Sequence, residues 1–241
     1  MAAPLTQQHQ IFLQAMMANR VMRYDDARRM HHEIVTTVVE PGADRTSVSE
    51  IGKSKSTFRL GDDASAFDRF WSDIARALRF LDLDMRRIKW PEDEQLYLGV
   101  VNKQGGETAK LATRLSPEQI ALFRAVVDEI LRDDRAAERG VDVIAALNAT
   151  QAFQTQPSET HDRQTQHAAA SLTQDQRASL AKMSKVEKEQ TLRRLCADGW
   201  LTQGDDEAGK LRLGVRAFLE LRDFLLSNAP ERAKEKWLNM I

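Results

Sequence analysis

Residues 195–214 read LCADGWLTQGDDEAGKLRLG, and this stretch restricts the fold more than any other. A helical pattern with Val186, Leu192, Leu195 and Cys196 runs into it, opened by the capping box Ser184-Lys185-Val186-Glu187. A second pattern, starting at Gly214 and carrying Val215, Phe218, Leu221, Phe224 and Leu225, leaves it. Between them lie two short apolar runs, Trp200-Leu201 and Leu211-Leu213. They are split by the acidic, glycine-bounded turn Gly204-Asp205-Asp206-Glu207-Ala208-Gly209. Such runs joined by such a turn form a hairpin. Helix, strand, wing and strand are the outline of a winged helix.

The same plan occurs earlier. A helix over His9–Met22 carries Phe12, Leu13, Met16 and Met17 on one stripe. Asp25 can cap the next, which carries Met30, Ile34, Val35 and Val38. Residues 42–63 are polar and aperiodic, the signature of a long loop. Phe67, Phe70, Trp71, Ile74, Leu78 and Leu81 then fall at helical steps, with Trp71 expected in the core. MRRIKW at 85–90 and LYLGVV at 96–101 favour strands, and PEDEQ at 91–95 joins them. Ser116-Pro117-Glu118-Gln119 opens a new helix with a cap, a first-turn proline and a capping box. A shorter helix is expected around Val141–Ala149, and 150–178 reads as a second long loop, poor in large apolar residues. The expected fold is therefore mainly α with two small β-hairpins, as tandem winged-helix domains over 1–115 and 116–241.

Net charge is −1, so no global basic field draws this chain onto nucleic acid. No apolar run approaches the roughly 20 residues of a membrane span, and the start MAAPLTQQHQ lacks the features of a secretory signal. The single cysteine, Cys196, excludes an internal disulfide and fits a reducing intracellular compartment. It falls with Leu192 and Leu195 on an apolar face, a core position without a neighbouring base. The adjacent His31 and His32 point about 100° apart on a helix and chelate poorly; His161 and His167 fall in the second loop. No catalytic constellation, cofactor loop or metal set emerges.

Both hairpin turns are acidic, with Glu92, Asp93 and Glu94 in the first and Asp205, Asp206 and Glu207 in the second. Acids beside phosphate oppose the counterion release that drives DNA binding. The helix from Lys185 to Arg194 mixes Lys185, Lys188, Arg193 and Arg194 with Glu187 and Glu189 on its expected exposed face. Weak DNA contact falls instead to Lys53, Lys55, Arg86 and Arg87. Winged helices that do not read DNA serve protein docking. Phe12-Leu13 and Met16-Met17 are adjacent apolar pairs, each spread about 100° around its helix, wider than a small core covers. The expected partner surface is thus Phe12, Met16 and Met17, joined by Leu96 and Leu98, which share one strand face.

Leu213-Gly214-Val215-Arg216-Ala217-Phe218-Leu219-Glu220-Leu221, preceded by Gly199-Trp200-Leu201, resembles the second winged helix of the non-structural maintenance of chromosomes element 1 family. These are the RING-bearing subunits of the SMC five/six complex. Tyr97-Leu98-Gly99-Val100-Val101-Asn102, then Ala112-Thr113 and Leu122-Phe123-Arg124, resemble the join between its two units, and His9-Gln10-Ile11-Phe12-Leu13-Gln14 its first helix. The resemblance implies a nuclear, chromatin-associated scaffold that binds a MAGE-family winged-helix subunit and, with it, the kleisin subunit, in DNA repair and recombination. It also implies a C-terminal zinc-binding RING with ubiquitin-ligase activity. This sequence ends at Trp237-Leu238-Asn239-Met240-Ile241, about where the first zinc cysteine would follow, and reads as truncated before the RING. Zinc is expected only in that domain, and the chain alone should be inactive as a ligase. The alternative is a winged-helix DNA-binding or transcription-associated protein, separable by the steep salt dependence of phosphate contacts.

Overall fold

The computed structural model describes residues 5–38, 60–103, 115–144, 146–147, 174–203 and 209–240. Residues 42–59 and 150–173 of the expected loops, with Lys53 and Lys55, lie outside them, as do Asp205, Asp206 and Glu207 of the second wing. The chain forms two compact units, Met1–Gln104 and Gly105–Ile241, dividing ahead of the Leu115/Ser116 junction expected from sequence.

In unit 1, helix α1 (Gln7–Asn19) starts at a capping box in which Thr6 and His9 satisfy each other's backbone N–H groups. The helix expected to reach Met22 stops at Asn19. Arg20 takes φ 63°, its N–H bonds to the Met16 carbonyl, and the chain turns into strand β1 (Val21–Arg23). Helix α2 (Tyr24–Thr37) follows at once. Its N-cap is Arg23 rather than Asp25, which lies with Asp26 inside the first turn, where carboxylates suit the helix dipole. Helix α3 (Leu60–Leu78) begins within the expected first loop, so 60–63 are helical. A 3-10 turn, Arg79–Leu81, leads to β2 (Leu83–Lys89), and β3 (Leu96–Asn102) returns antiparallel. PEDEQ makes the turn as expected: Trp90 N–H donates to the Gln95 carbonyl at 2.8 Å, and Glu94 takes φ 55°.

Unit 2 opens with α4 (Pro117–Leu131), held by the Ser116–Gln119 capping box. Helix α5 (Asp134–Arg139) is capped by the Asp133 carboxylate, which accepts from Ala136 N–H at 2.7 Å. The helix expected around Val141–Ala149 starts two residues later: Val141–Asp142 form strand β4, and residues 143, 144, 146 and 147 are helical. Gly140 makes this possible: it holds φ +80°, and a Cβ there would lie 2.5 Å from the Leu211 carbonyl oxygen. Helix α6 (Gln174–Ala181) occupies the end of the expected second loop, and α7 (Lys185–Ala197) carries the expected Ser184–Glu187 box. Strands β5 (Leu201–Gln203) and β6 (Lys210–Leu213) follow. The single last helix expected from Gly214 is three: α8 (Val215–Glu220), α9 (Arg222–Asn228) and α10 (Glu231–Leu238). Leu221, at φ −106° and ψ 16°, breaks the first join, and Pro230 sits at the cap of the third helix.

Each expected hairpin gains a third strand from upstream. The sheet orders are β1-β3-β2 and β4-β6-β5, so in both units a strand upstream of the hairpin pairs with the hairpin's last strand. The same strand order thus arises twice from sequences with no visible repeat. The unit 1 core gathers Phe12, Met16, Phe67, Phe70, Trp71, Ile74, Leu78, Met85 and Leu98.

Candidate interaction surface

Three of the residues expected on a partner surface are core. Phe12, Met16 and Leu98 are each 0% exposed, with Phe12 edge-on to Phe67 and Phe70 at 5.9 and 5.3 Å between ring centres. The correction has a simple cause. Of the two adjacent apolar pairs on α1 only Met17 overflows, since Leu13 packs half-buried against the core and β1, paired to β3, adds cover that a two-stranded hairpin lacks. Met17, the other member, is 56% exposed, and Leu96 is half-buried. Leu81, which continues the α3 stripe in sequence, is outside at 52%. The helix ends before it, and Asp82, in the left-handed region at φ 54°, redirects the chain into β2.

The cations proposed for DNA are spoken for. Arg86 is 13% exposed at its side chain and lies 3.7 Å from the Asp84 carboxylate. Arg87 donates to Asp68 at 2.8 Å and stacks over Trp71 and Tyr24, 5.4 and 5.9 Å from the ring centres. Neither presents a free charge to phosphate, which corrects that expectation. On α7, Lys188 is buried, and burial lowers its pKa, so it leaves the charged face on which the sequence placed it.

The acidity of the first wing has a structural use. Asp93 accepts the Tyr97 hydroxyl at 2.7 Å, the same hydroxyl accepts Arg23 Nε at 3.1 Å, and Arg23 reaches Asp93 at 3.5 Å. The wing carboxylate thus ties β3 and β1 together. Burial and the bond to Asp93 push the Tyr97 phenol pKa up, so the hydroxyl keeps the proton it donates.

Unit 2 contains a group that sequence reading passed over. Arg216 is 3% exposed, lies 4.1 Å over the Trp200 ring and donates from Nε to Glu220 at 2.6 Å. Its i,i+4 spacing to Glu220 was a readable signal, but its burial was not. An open cleft of about 480 Å³ lies between the starts of α4 and α7. Its acids, Glu118 and Glu187, bond to the capping Ser116 and Ser184, which lower their pKa values, while Lys182 and Arg194 also line it. Cys196 is half-buried and desolvation raises its pKa, opposite to what a nucleophile needs. His31 packs against Phe70 at 4.5 Å. Among the described residues no group of three or more His, Cys, Asp or Glu could hold a metal, and no helix is long and apolar enough to cross a membrane.

The family described as "Nse1 non-SMC component of SMC5-6 complex" matches residues 9–221, which include most of both units. This chain belongs to the Nse1 family. A solved structure titled "Nse1-Nse3-Nse4 complex" contains a similar chain, at TM-score 0.60 and 19% identity, covering 99% of this chain and 78% of that one. At that identity the likeness speaks for the fold. A search of curated protein sequences finds no match. An Nse1-family chain is a non-SMC component of the SMC5-6 complex, and in this one Asp93 of the first acidic turn serves internal tethering.

Proposed function

We propose that this chain is a docking scaffold of the SMC5-6 genome-maintenance complex. It binds a MAGE-family winged-helix subunit and, with it, the kleisin subunit, the counterparts of Nse3 and Nse4 in the similar structure. The observation that carries this reading is a family match running through both units. The surface chemistry agrees: Arg86 and Arg87 are occupied within unit 1, its wing carboxylate is bonded internally, and apolar side chains remain outside. Any DNA contact by this chain is weak and non-specific, and its nuclear, chromatin-associated location follows from the assembly. Ubiquitin-ligase chemistry belongs to the RING of family members; these two units supply the platform that couples it to the complex. Met17 and Leu96 remain the partner residues of the original surface.

The test is reconstitution. Co-expressed with Nse3-type and Nse4-type subunits from the same source, the chain should co-migrate with them as a stoichiometric complex in size-exclusion chromatography at moderate salt. Separate elution at micromolar concentration, with all three subunits folded, overturns the reading. Retention on DNA instead, lost steeply with salt, would favour the DNA-binding alternative.

A further inference from the structure

Helix α3 divides its residues between two faces. Phe67, Phe70, Trp71, Ile74, Ala77 and Leu78 are buried. The exposed residues of its described part are Ser65, Arg69, Ser72, Asp73 and Arg76, and the exposed Arg79 follows at the start of the 3-10 turn. At 3.6 residues per turn, Ser65, Arg69, Ser72 and Arg76 fall within about 60° of one line along the helix. Arg79 comes three residues later.

That line holds guanidinium and hydroxyl groups only. Arg69 donates from Nε to the Ser65 carbonyl at 3.3 Å, and the Ser72 hydroxyl donates to the Asp68 carbonyl at 2.7 Å. Neither Arg69 nor Arg79 has an ion-pair partner among the described residues. Arg76 pairs with Asp73 at 3.2 Å, but the two side chains stay 62% and 53% exposed, where solvent screens the attraction. Asp68, on the flank, is taken by Arg87, and Asp82, past the turn, is half-buried. The acids of the first hairpin turn are kept away from the basic end. Strand β2 returns alongside α3, since Arg87, near the end of the strand, meets Asp68. Glu92 and Glu94 beyond it therefore lie toward the start of α3, and Arg76 and Arg79 lie at the opposite end. The outer face of α7 is less clear-cut: Lys185, Arg193 and Arg194 mix there with Glu187 and Glu189, and Arg194 lies 3.9 Å from Asp198.

The chemistry of the line selects its occupant. The centre of a protein interface is apolar and poor in charge, and this line carries no apolar side chain. Phosphate is bound by arginine and by serine hydroxyls, which are what the line offers. Arg69 and Arg76 are about 10 Å apart along the axis, and Arg79 lies about 5 Å further on. One strand of a duplex presents a phosphate about every 3.4 Å of axis, so the three guanidiniums can meet separate phosphates. We propose that Arg69, Arg76 and Arg79, with Ser65 and Ser72, rest on the phosphate backbone of duplex DNA. This gives the weak, non-specific DNA contact of the scaffold reading a place on unit 1, and rests on that reading.

The experiment titrates the full chain against a short fluorescein-labelled DNA duplex by anisotropy, at salt concentrations from low to physiological, with melting curves for every variant. Wild type should bind weakly, with equal affinity for unrelated sequences and a log–log salt slope of about −3. Arg69→Gln, Arg76→Gln and Arg79→Gln should each reduce that slope by about 1, and the triple variant should lose binding. The three corresponding lysine variants keep the charge and should keep the slope. Melting should hardly change, since all three side chains are exposed. Lys185→Gln with Arg193→Gln on α7 should leave the slope as it was. Wild-type binding by the triple variant, or a larger loss from the α7 variant, overturns the proposal. So does a triple variant that keeps DNA but no longer joins the Nse3-type and Nse4-type pair, which assigns the face to a protein partner. No DNA binding by the unaltered chain, with that complex still formed, overturns the DNA face and leaves the scaffold standing.

Discussion

Arg87 separates a charge that serves the fold from one that serves DNA. In the structure it pairs with Asp68 at 2.8 Å and covers Trp71 and Tyr24. Truncation to alanine removes three contributions. The ion pair, with side chains 36% and 47% exposed, is worth only about 0.2–1 kcal/mol after solvent screening. Each cation–π contact adds about 0.5–1 kcal/mol. The aliphatic stem covers further ring surface, so the total is about 1.5–3 kcal/mol. For a unit of this size that lowers the melting temperature by roughly 10 °C. Asp68→Asn should cost less than half as much, because the ring contacts survive. Calorimetric melting of the three proteins, with a low-salt DNA titration of each at a temperature where all are folded, makes the comparison. The expected outcome is a clear drop in melting temperature and unchanged, weak DNA affinity for Arg87→Ala. Wild-type melting together with a large loss of DNA affinity would show that Arg87 faces outward and would refute the reasoning.

Other consequences can be checked alongside. Gly214→Ala places a Cβ 2.2 Å from the Gly199 carbonyl oxygen and 3.0 Å from that of Leu201. Relief disturbs the Gly214–Trp200 and Arg216–Gly199 backbone bonds, so denaturant melts should report a loss of about 3 kcal/mol or more in unit 2. Arg216→Met strands the largely buried Glu220 carboxylate and should cost about 3–5 kcal/mol, with much recovered by adding Glu220→Leu in a double-mutant cycle. Asp133→Ala should cost about 1 kcal/mol as a lost N-cap. Because the bond from Ala136 N–H depresses the folded pKa of Asp133, its contribution is present above the unfolded value near about 3.9 and disappears as pH falls through the folded value. Stability against pH for wild type and variant should converge on that acid limb. With one cysteine, the purified chain should retain no stoichiometric zinc after dialysis against a chelator, and should not speed ubiquitin discharge from a charged conjugating enzyme. Metal analysis and a single-turnover discharge assay check the two.

What the sequence determined by itself was local. The boxes at Ser116 and Ser184 need only residues three apart, and both formed as read. The apolar periods located the long helices, the turn residues located the first hairpin, and an ordered set of short matches pointed to the family. What failed was whatever depends on partners distant in the chain. Three residues, Val21–Arg23, have no strand signal of their own; they become one because β3, more than 70 residues later, offers its edge. Val141–Asp142 does the same against β6. With those third strands in place, Phe12, Met16 and Leu98 become core and only Met17 is left over. Arg87 looked like a surface cation until Asp68, Trp71 and Tyr24 surrounded it, and Leu81 looked like core until the helix ended before it. Periodicity identifies the faces of an element. Which face is buried, and how far a charge is neutralised, depends on tertiary neighbours, since burial and Coulomb energy are properties of pairs brought together by the fold.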